Sequence, residues 1–207
     1  RAAAADCQRR IVQQPGQLGA GCRVGPQVYL TGHTRIGAHN RFHAGCVIGD
    51  APQDLKYQDE PTGLRIGDHN VFREHVTVHR SNTPAEETRI GSHNYFMQHS
   101  HVAHNCALGD HFILAGGALL AGHVTVGDRA FISGNCLVHQ FVRVGTLALM
   151  QGGAAISKGQ MEAARSLGMT TPQAMTFVII PQTVRRILPT MMSEFILLFK
   201  DTALFAA

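Results

Sequence analysis

At 207 residues the chain has room for one sizeable domain and a small appendage. Its side chains are 44% hydrophobic but only 6% aromatic, with 22 Gly and no Trp. That excludes a globule packed on large rings and favours thin layers of small and aliphatic residues. The formal charge of +4 is spread without a basic cluster, which excludes a nucleic-acid surface and allows only a mild attraction to acidic partners.

Residues 1–17 read as an N-terminal extension or cap. The opening run RAAAADCQRR is too short and polar for a targeting segment, and no stretch of about 18 apolar residues follows, so stable membrane insertion is not expected and a cytoplasmic protein is. From Leu18 a period of six sets in. Large apolar residues stand at Leu18, Val24, Leu30, Ile36, Phe42 and Ile48, then at Ile66, Phe72 and Val78. A third register runs Ile90, Phe96, Val102, Leu108, Leu114, Leu120, Val126, Ile132, Val138, Val144, Met150 and Ile156 without a slip. Four residues after an anchor the side chain is usually small or β-branched, as at Val28, Thr34, Val76, Ser100, Ala118 and Ala130, and Gly often follows the anchor directly, as at Gly91, Gly109 and Gly127.

Two inward positions per six residues describe a short strand and a turn, and the glycines eighteen residues apart predict three such units per coil. A helix would repeat near 3.6 and an ordinary strand at two, and neither gives this series. The predicted fold is an all-β parallel β-helix of hexapeptide repeats over residues 18–157, whose coils stack about 4.8 Å apart so that residues eighteen apart lie above one another. Cys22, Cys46, Cys106 and Cys136 all fall in the small inward slot, so they read as core filler and not as disulfides or thiolate ligands. The register breaks twice, at residues 51–64 and 81–89, where loops are expected to leave the solenoid.

Thirteen histidines raise the question of chemistry. His39, His69, His93 and His111 sit three residues after an anchor and read as solvated corner residues. His104 differs, because Gly122 stands one coil above it and Gln140 one coil further. That column sets an imidazole, able to take a proton from an attacking hydroxyl, beside a bare backbone N–H able to stabilise an oxyanion. His101, His123 and His139 are expected close by. Spacing alone leaves acyl transfer balanced against a structural cluster or a metal site. His99 and His104, with four residues between them, and His79 offered as a third ligand, match the zinc pattern of hexapeptide-repeat carbonic anhydrases only weakly.

Several motifs together are more specific: QDLKY with EPT (Gln53–Tyr57, Glu60–Thr62), VTVHR (Val76–Arg80), HVAHNC (His101–Cys106), LAGHV (Leu120–Val124) and VHQF (Val138–Phe141). Over residues 19–158 the chain resembles the UDP-N-acetylglucosamine O-acyltransferases of lipid A biosynthesis. The resemblance implies a left-handed β-helix, an exception to the right-handed crossover preference, assembled as a homotrimer with sites between subunits. It implies transfer of a 3-hydroxyacyl chain from acyl carrier protein to the sugar 3-hydroxyl, without a cofactor. By the same resemblance His104 is the general base and Gly122 the oxyanion donor. Gln53, Asp54, Lys56, His79, His101, His123, His139 and Gln140 line the substrate pocket, and Gly152 limits acyl length. The related N-acyltransferase of the pathway normally carries a separate N-terminal domain, for which this chain has no room. Asn105 departs from the family, where an Asp often follows the base, so a negative charge beside the imidazole is missing.

From Lys158 to Ala207 the pattern changes. EAARSLGM (Glu162–Met169), PQTVRRILP (Pro181–Pro189) and the run from Lys200 to Leu204 resemble part of polar amino-acid ABC transporter permeases, so the chain reads as a chimera joined near Lys158. Residues 158–207 are expected to be a short helical tail, with a helix through Met161 to Leu167 ended by Gly168 and breaks at Pro172, Pro181 and Pro189. The tail would cover the open end of the β-helix in place of the family's helical domain. Besides the enzyme, a folded but inactive scaffold and a zinc-dependent hexapeptide protein therefore stand as alternatives.

Overall fold

The computed structural model describes residues 11–12, 17–157, 170 and 172. The chain divides into two compact units, Arg1–Ser157 and Lys158–Ala207. The predicted cap at residues 1–17 lies almost wholly outside the described residues, as do the predicted helices of the tail and their capping role.

The first unit is a left-handed parallel β-helix, its coils built on the period of six and its hand the one that the resemblance implies. Successive short strands fall in turn on three parallel sheets of eight, seven and seven strands, here A, B and C. Sheet A runs from Ile11–Val12 to Ala155–Ile156, sheet B from Gln17–Leu18 to Arg143–Val144, and sheet C from Arg23–Val24 to Leu149–Met150. The eighteen-residue column is observed directly in the pairings Tyr95↔Ile113, Ile113↔Phe131 and Phe131↔Leu149. The spacing opens to thirty residues at Arg41↔Val71 and to twenty-four at Val71↔Tyr95, so both insertions are expelled without disturbing the stack.

The predicted loops are shorter than expected at their C-terminal ends. Strands resume at Gly63 and Glu87, because Thr34, Leu64 and Thr88 pair as an extra inward column in sheet B and are all buried. Both loops leave through the same corner, between sheet A and sheet B, after Val47–Asp50 and after Thr77–His79.

The anchors form one continuous core, with Ile48, Phe72, Val78, Phe96, Val102, Leu114, Leu120 and Ile132 fully buried. Among the anchors from Leu18 to Ile156, those at either end, Leu18 and Ile156, are exposed. Phe42, Phe72 and Phe96 stack at 4.9 and 4.5 Å, with Phe112 edge-on to the last. The cysteines fill the core as their phase predicts: Cys46, Cys106 and Cys136 are buried, and each thiol donates to a carbonyl of the next coil. Burial pushes the Cys46 thiol up to about 11 and the Cys106 thiol up to about 12, so both stay protonated and unreactive.

Between sheets B and C the corners are held by side chains. Asn40, Asn70 and Asn94 are buried, and each Oδ1 accepts the backbone N–H one coil on, from Asn70, Asn94 and Phe112 respectively. Each Nδ2 donates to a glycine carbonyl, as Asn70 does to Gly91. Outside this column His39, His69, His93 and His111 stack at 4.8 to 4.9 Å. All four adopt φ between 57° and 60°, a left-handed conformation for which His is enriched among residues other than glycine. Among the described residues no helix is long and apolar enough to cross a membrane.

The asparagine ladder makes the interior of the corner testable. Asn70→Ala strands the Asn94 N–H and the Gly91 carbonyl, so the variant should lose about 2–4 kcal/mol in urea unfolding. An unchanged midpoint would mean that the ladder contributes nothing net.

Candidate active site

The sheet A–sheet B corner carries His104 and Asn105 in one coil, Gly122 and His123 in the next, and Gln140 and Phe141 after that. The two expelled loops emerge just below them from the same edge. Each turn here places its second residue in the left-handed region, with φ of 57° at Asn105, 59° at His123 and 60° at Phe141. His123 thus occupies the same kind of slot as the stacked corner histidines. His104 does not: it takes the first turn position and leaves the strained slot to Asn105.

The His104 ring lies close against the next coil. A methyl group added at Gly122 would fall 2.6 Å from His104 Cε1 and 2.8 Å from Nε2, so only glycine lets the backbone approach the imidazole this closely. On the other side of the ring, Nδ1 stands 2.9 Å from Asn105 Oδ1. That oxygen also accepts the backbone N–H of Asn82 at 3.0 Å. A carbonyl oxygen only accepts, so Nδ1 carries the proton and Nε2 keeps its lone pair on the side facing Gly122.

The loops complete the surround. Asp54 accepts from Lys56 N at 3.0 Å and from Asn82 Nδ2 at 2.8 Å, tying the first loop to the second. These two hydrogen bonds lead the causes that hold the Asp54 carboxyl below its ordinary value. Arg80 fastens the loops again through Tyr57, donating from Nε and Nη2 to the phenolic oxygen at 3.2 and 3.1 Å. Glu86 reaches back to Asn105 Nδ2 at 2.5 Å and stands 3.9 Å from His123 Nδ1.

Four histidines crowd this edge. His123 meets His104 edge-on at 5.3 Å and stacks on Phe141 at 4.7 Å. His79 and His101 meet edge-on at 4.8 Å, and His101 Nδ1 is 2.7 Å from Thr77 Oγ1. Burial pushes the His101 imidazole down to about 4, and it is the leading cause lowering His79 and His123 as well. All three are therefore neutral near pH 7. Among the described residues His79 Nδ1 has no hydrogen-bond partner although it is buried.

The chain itself thus brings together His104, Gly122, His123, Asp54, His79 and His101. Gln53 and Lys56 are exposed on the first loop, and Gln140 is exposed one coil beyond Gly122. His139 lies on the strand side of that third coil, about 10 Å along the stack from His104. Gly152 stands at a different corner, between sheets C and A, across the width of sheet A from the corner of His104. The predicted zinc pair separates in the same way. His99 stacks on His75 at the sheet C–sheet A corner at 5.2 Å, and among the described residues no three His, Cys, Asp or Glu side chains group to hold a metal ion. Thr77, Asn82 and Glu86 were missed by sequence reasoning. The phase of the insertions, after Ile48 and Val78 in the column of Val102, would have put the loop residues at the corner of His104.

Fold and repeat place the chain among the hexapeptide-repeat proteins, and residues 15–50 match the family described as bacterial transferase hexapeptide (six repeats). The chain is 30% identical, with a TM-score of 0.68, to LpxA from Acinetobacter baumannii, over 82% of this chain and 84% of that one. It is 36% identical, with a TM-score of 0.64, to LpxA, a UDP-N-acetylglucosamine acyltransferase, from Bacteroides fragilis, over 69% and 63% respectively. A curated relative, the acyl-(acyl-carrier-protein)–UDP-N-acetylglucosamine O-acyltransferase of Gloeothece citriformis, is 45% identical over 96 residues, 46% of this chain and 35% of the relative. The chain belongs to the LpxA family of UDP-N-acetylglucosamine acyltransferases. It spans about a third of the length of the curated relatives it matches. Residues 137–206 match a second family, described as binding-protein-dependent transport system inner membrane component. That match starts inside the β-helix, at the strand Leu137–Val138, and so earlier than the composition change near Lys158.

The buried histidines predict how stability depends on pH. His101 is held neutral down to about 4 in the folded protein, against 6.5 as its ordinary value. Between those values the unfolded chain binds the extra proton, so stability falls as pH drops from about 6.5 to about 4, by up to about 3 kcal/mol. Urea unfolding at about pH 7 and about pH 5 should show that loss, and His101→Gln should reduce it. An equal loss in the variant would assign the effect to other groups.

Proposed function

We propose that the chain is an acyltransferase that moves a 3-hydroxyacyl group from acyl carrier protein to the 3-hydroxyl of UDP-N-acetylglucosamine, the first step of lipid A biosynthesis, acting in the cytoplasm as a homotrimer. The observation that carries this reading is the His104 imidazole, proton-bearing at Nδ1 and pressed against Gly122 at Nε2. His104 Nε2 takes the proton of the sugar hydroxyl as its oxygen attacks the thioester carbonyl. The Gly122 N–H stabilises the oxyanion of the tetrahedral intermediate. Collapse of that intermediate breaks the carbon–sulfur bond, and the imidazolium returns its proton to the departing thiolate.

The neutral histidines around His104 fit this scheme, since they set no positive charge against the imidazolium that forms when His104 takes the proton. His79, His101, His123, His139, Gln140, Gln53, Asp54 and Lys56 are assigned to substrate binding. Asp54 is rigidly presented through Lys56 and Asn82 to receive the acyl 3-hydroxyl. An acyl chain laid from His104 across the outside of sheet A passes Leu119 and Leu137, which are 40% and 50% exposed, toward the corner of Gly152. Gly152 leaves room there for a long chain.

Support for the trimer comes from the outward faces. Sheet A shows Val47, Leu119 and Leu137, and sheet C, beyond Arg23 and Arg41 at its start, shows Val71, Ile113, Phe131 and Leu149, the last 74% exposed, whereas sheet B shows Arg35, Arg65, Arg89 and Arg143. Two apolar faces flanking one edge suit a closed three-fold ring in which sheet A of one subunit packs on sheet C of the next.

His104→Ala should lower kcat by about 10²–10⁴ with acyl carrier protein thioester and UDP-N-acetylglucosamine as substrates. Gly122→Ala should lower it at least about tenfold by displacing the ring. Full activity in His104→Ala would overturn the proposal. Absence of sugar-nucleotide binding to the unmodified protein in calorimetry would instead favour an inactive scaffold.

A further inference from the structure

We infer that Glu86 is a positioning residue for His104: through the Asn105 side-chain amide it fixes which imidazole nitrogen carries the proton. The inference rests on His104 being the base proposed above. Its starting point is the departure at Asn105, where an amide stands beside the imidazole in place of a carboxylate.

A carboxylate would accept from His104 in either orientation. An amide has one accepting end and one donating end, and its two orientations are nearly equal in shape, so the active site works only if something selects between them. In the observed orientation Oδ1 faces the His104 Nδ1 proton and the Asn82 N–H, and Nδ2 donates to Glu86 Oε2. Turned over, the NH2 group would face the Asn82 N–H, donor against donor, and Oδ1 would face the Glu86 carboxylate, acceptor against acceptor. The NH2 group would also press His104 into the other tautomer, with the proton on Nε2, where no lone pair remains to take a hydroxyl proton.

The two ends are held by different means. Asn82 contributes a backbone amide, and the Asn105 backbone is itself pinned by its N–H to Thr88 Oγ1 at 2.8 Å. Glu86 alone contributes a side chain, and only as an acceptor. It is 58% exposed, so its removal leaves the core intact and its energetic weight falls on orientation. Glu86 belongs to the expelled loop at this corner, which gives that loop a function beyond enclosing substrate.

The test combines acyl-transfer kinetics with nitrogen-15 NMR of the histidine-labelled protein. Glu86→Ala should lower kcat about tenfold with KM changed less than about twofold, the pattern of lost orientation at the reacting group. His104, seen as the Nδ1–H tautomer in the unmodified protein, should become a mixture with the Nε2–H form. Glu86→Gln, which can still present an oxygen to Asn105, should keep the tautomer and most of the rate. Adding Asn105→Asp to Glu86→Ala should restore kcat to within about threefold, because a carboxylate needs no orienting. An unchanged tautomer in Glu86→Ala, or a double variant no better than Glu86→Ala, would overturn the inference. If the unmodified protein transfers no acyl group, the acyltransferase reading fails while the NMR result still decides the role of Glu86.

Discussion

Everything in the β-helical unit depends on one constraint, the return of the chain to the same place every eighteen residues. Parallel strands two residues long have almost no stability of their own. They persist because strand N–H groups meet carbonyls of the coil above and each inward side chain meets its equivalent, as Phe42, Phe72 and Phe96 do. A buried polar column is tolerated on the same terms, since Asn40, Asn70 and Asn94 satisfy one another's backbone. The same register that builds the core builds the site. It sets Gly122 on His104 and keeps two insertions at the corner where that pair stands.

The corners explain why so few of this chain's many histidines stand as His104 does. A two-residue turn whose second residue is left-handed selects glycine, asparagine and histidine for conformational reasons. His39, His69, His93 and His111 satisfy that demand and stack in a solvent-facing ladder. His104 is set apart by standing one position earlier, where the backbone asks nothing special of it and its ring is free to lie on the next coil. Its partner Asn105 serves both purposes, filling the left-handed slot and accepting the Nδ1 proton.

Legibility followed the repeat. The anchors, the cysteine phase and the His104–Gly122 column could be read in advance because period six and period eighteen convert linear distance into spatial distance. The readings weakened wherever that conversion fails. Loop ends were misplaced by two or three residues because Leu64 and Thr88 continue an inward column that begins at Thr34. Asn82 and Glu86 were overlooked because the phase of an insertion gives the corner it leaves from but not the place of each residue within it. His99 and His104, near in sequence, proved to sit on different corners.

The sequence by itself determined the fold class, the direction each repeat residue faces and the columns in which they stack, because a periodic chain leaves only one way to bury its anchors. It also carried the family resemblance in its motifs. Only the tertiary structure decided how the two loops lock together through Asp54, Asn82, Tyr57 and Arg80. It also decided which imidazole nitrogen bears the proton, and the reason is physical. Hydrogen-bond direction depends on which group lies opposite, and in an aperiodic loop no spacing along the chain specifies that neighbour.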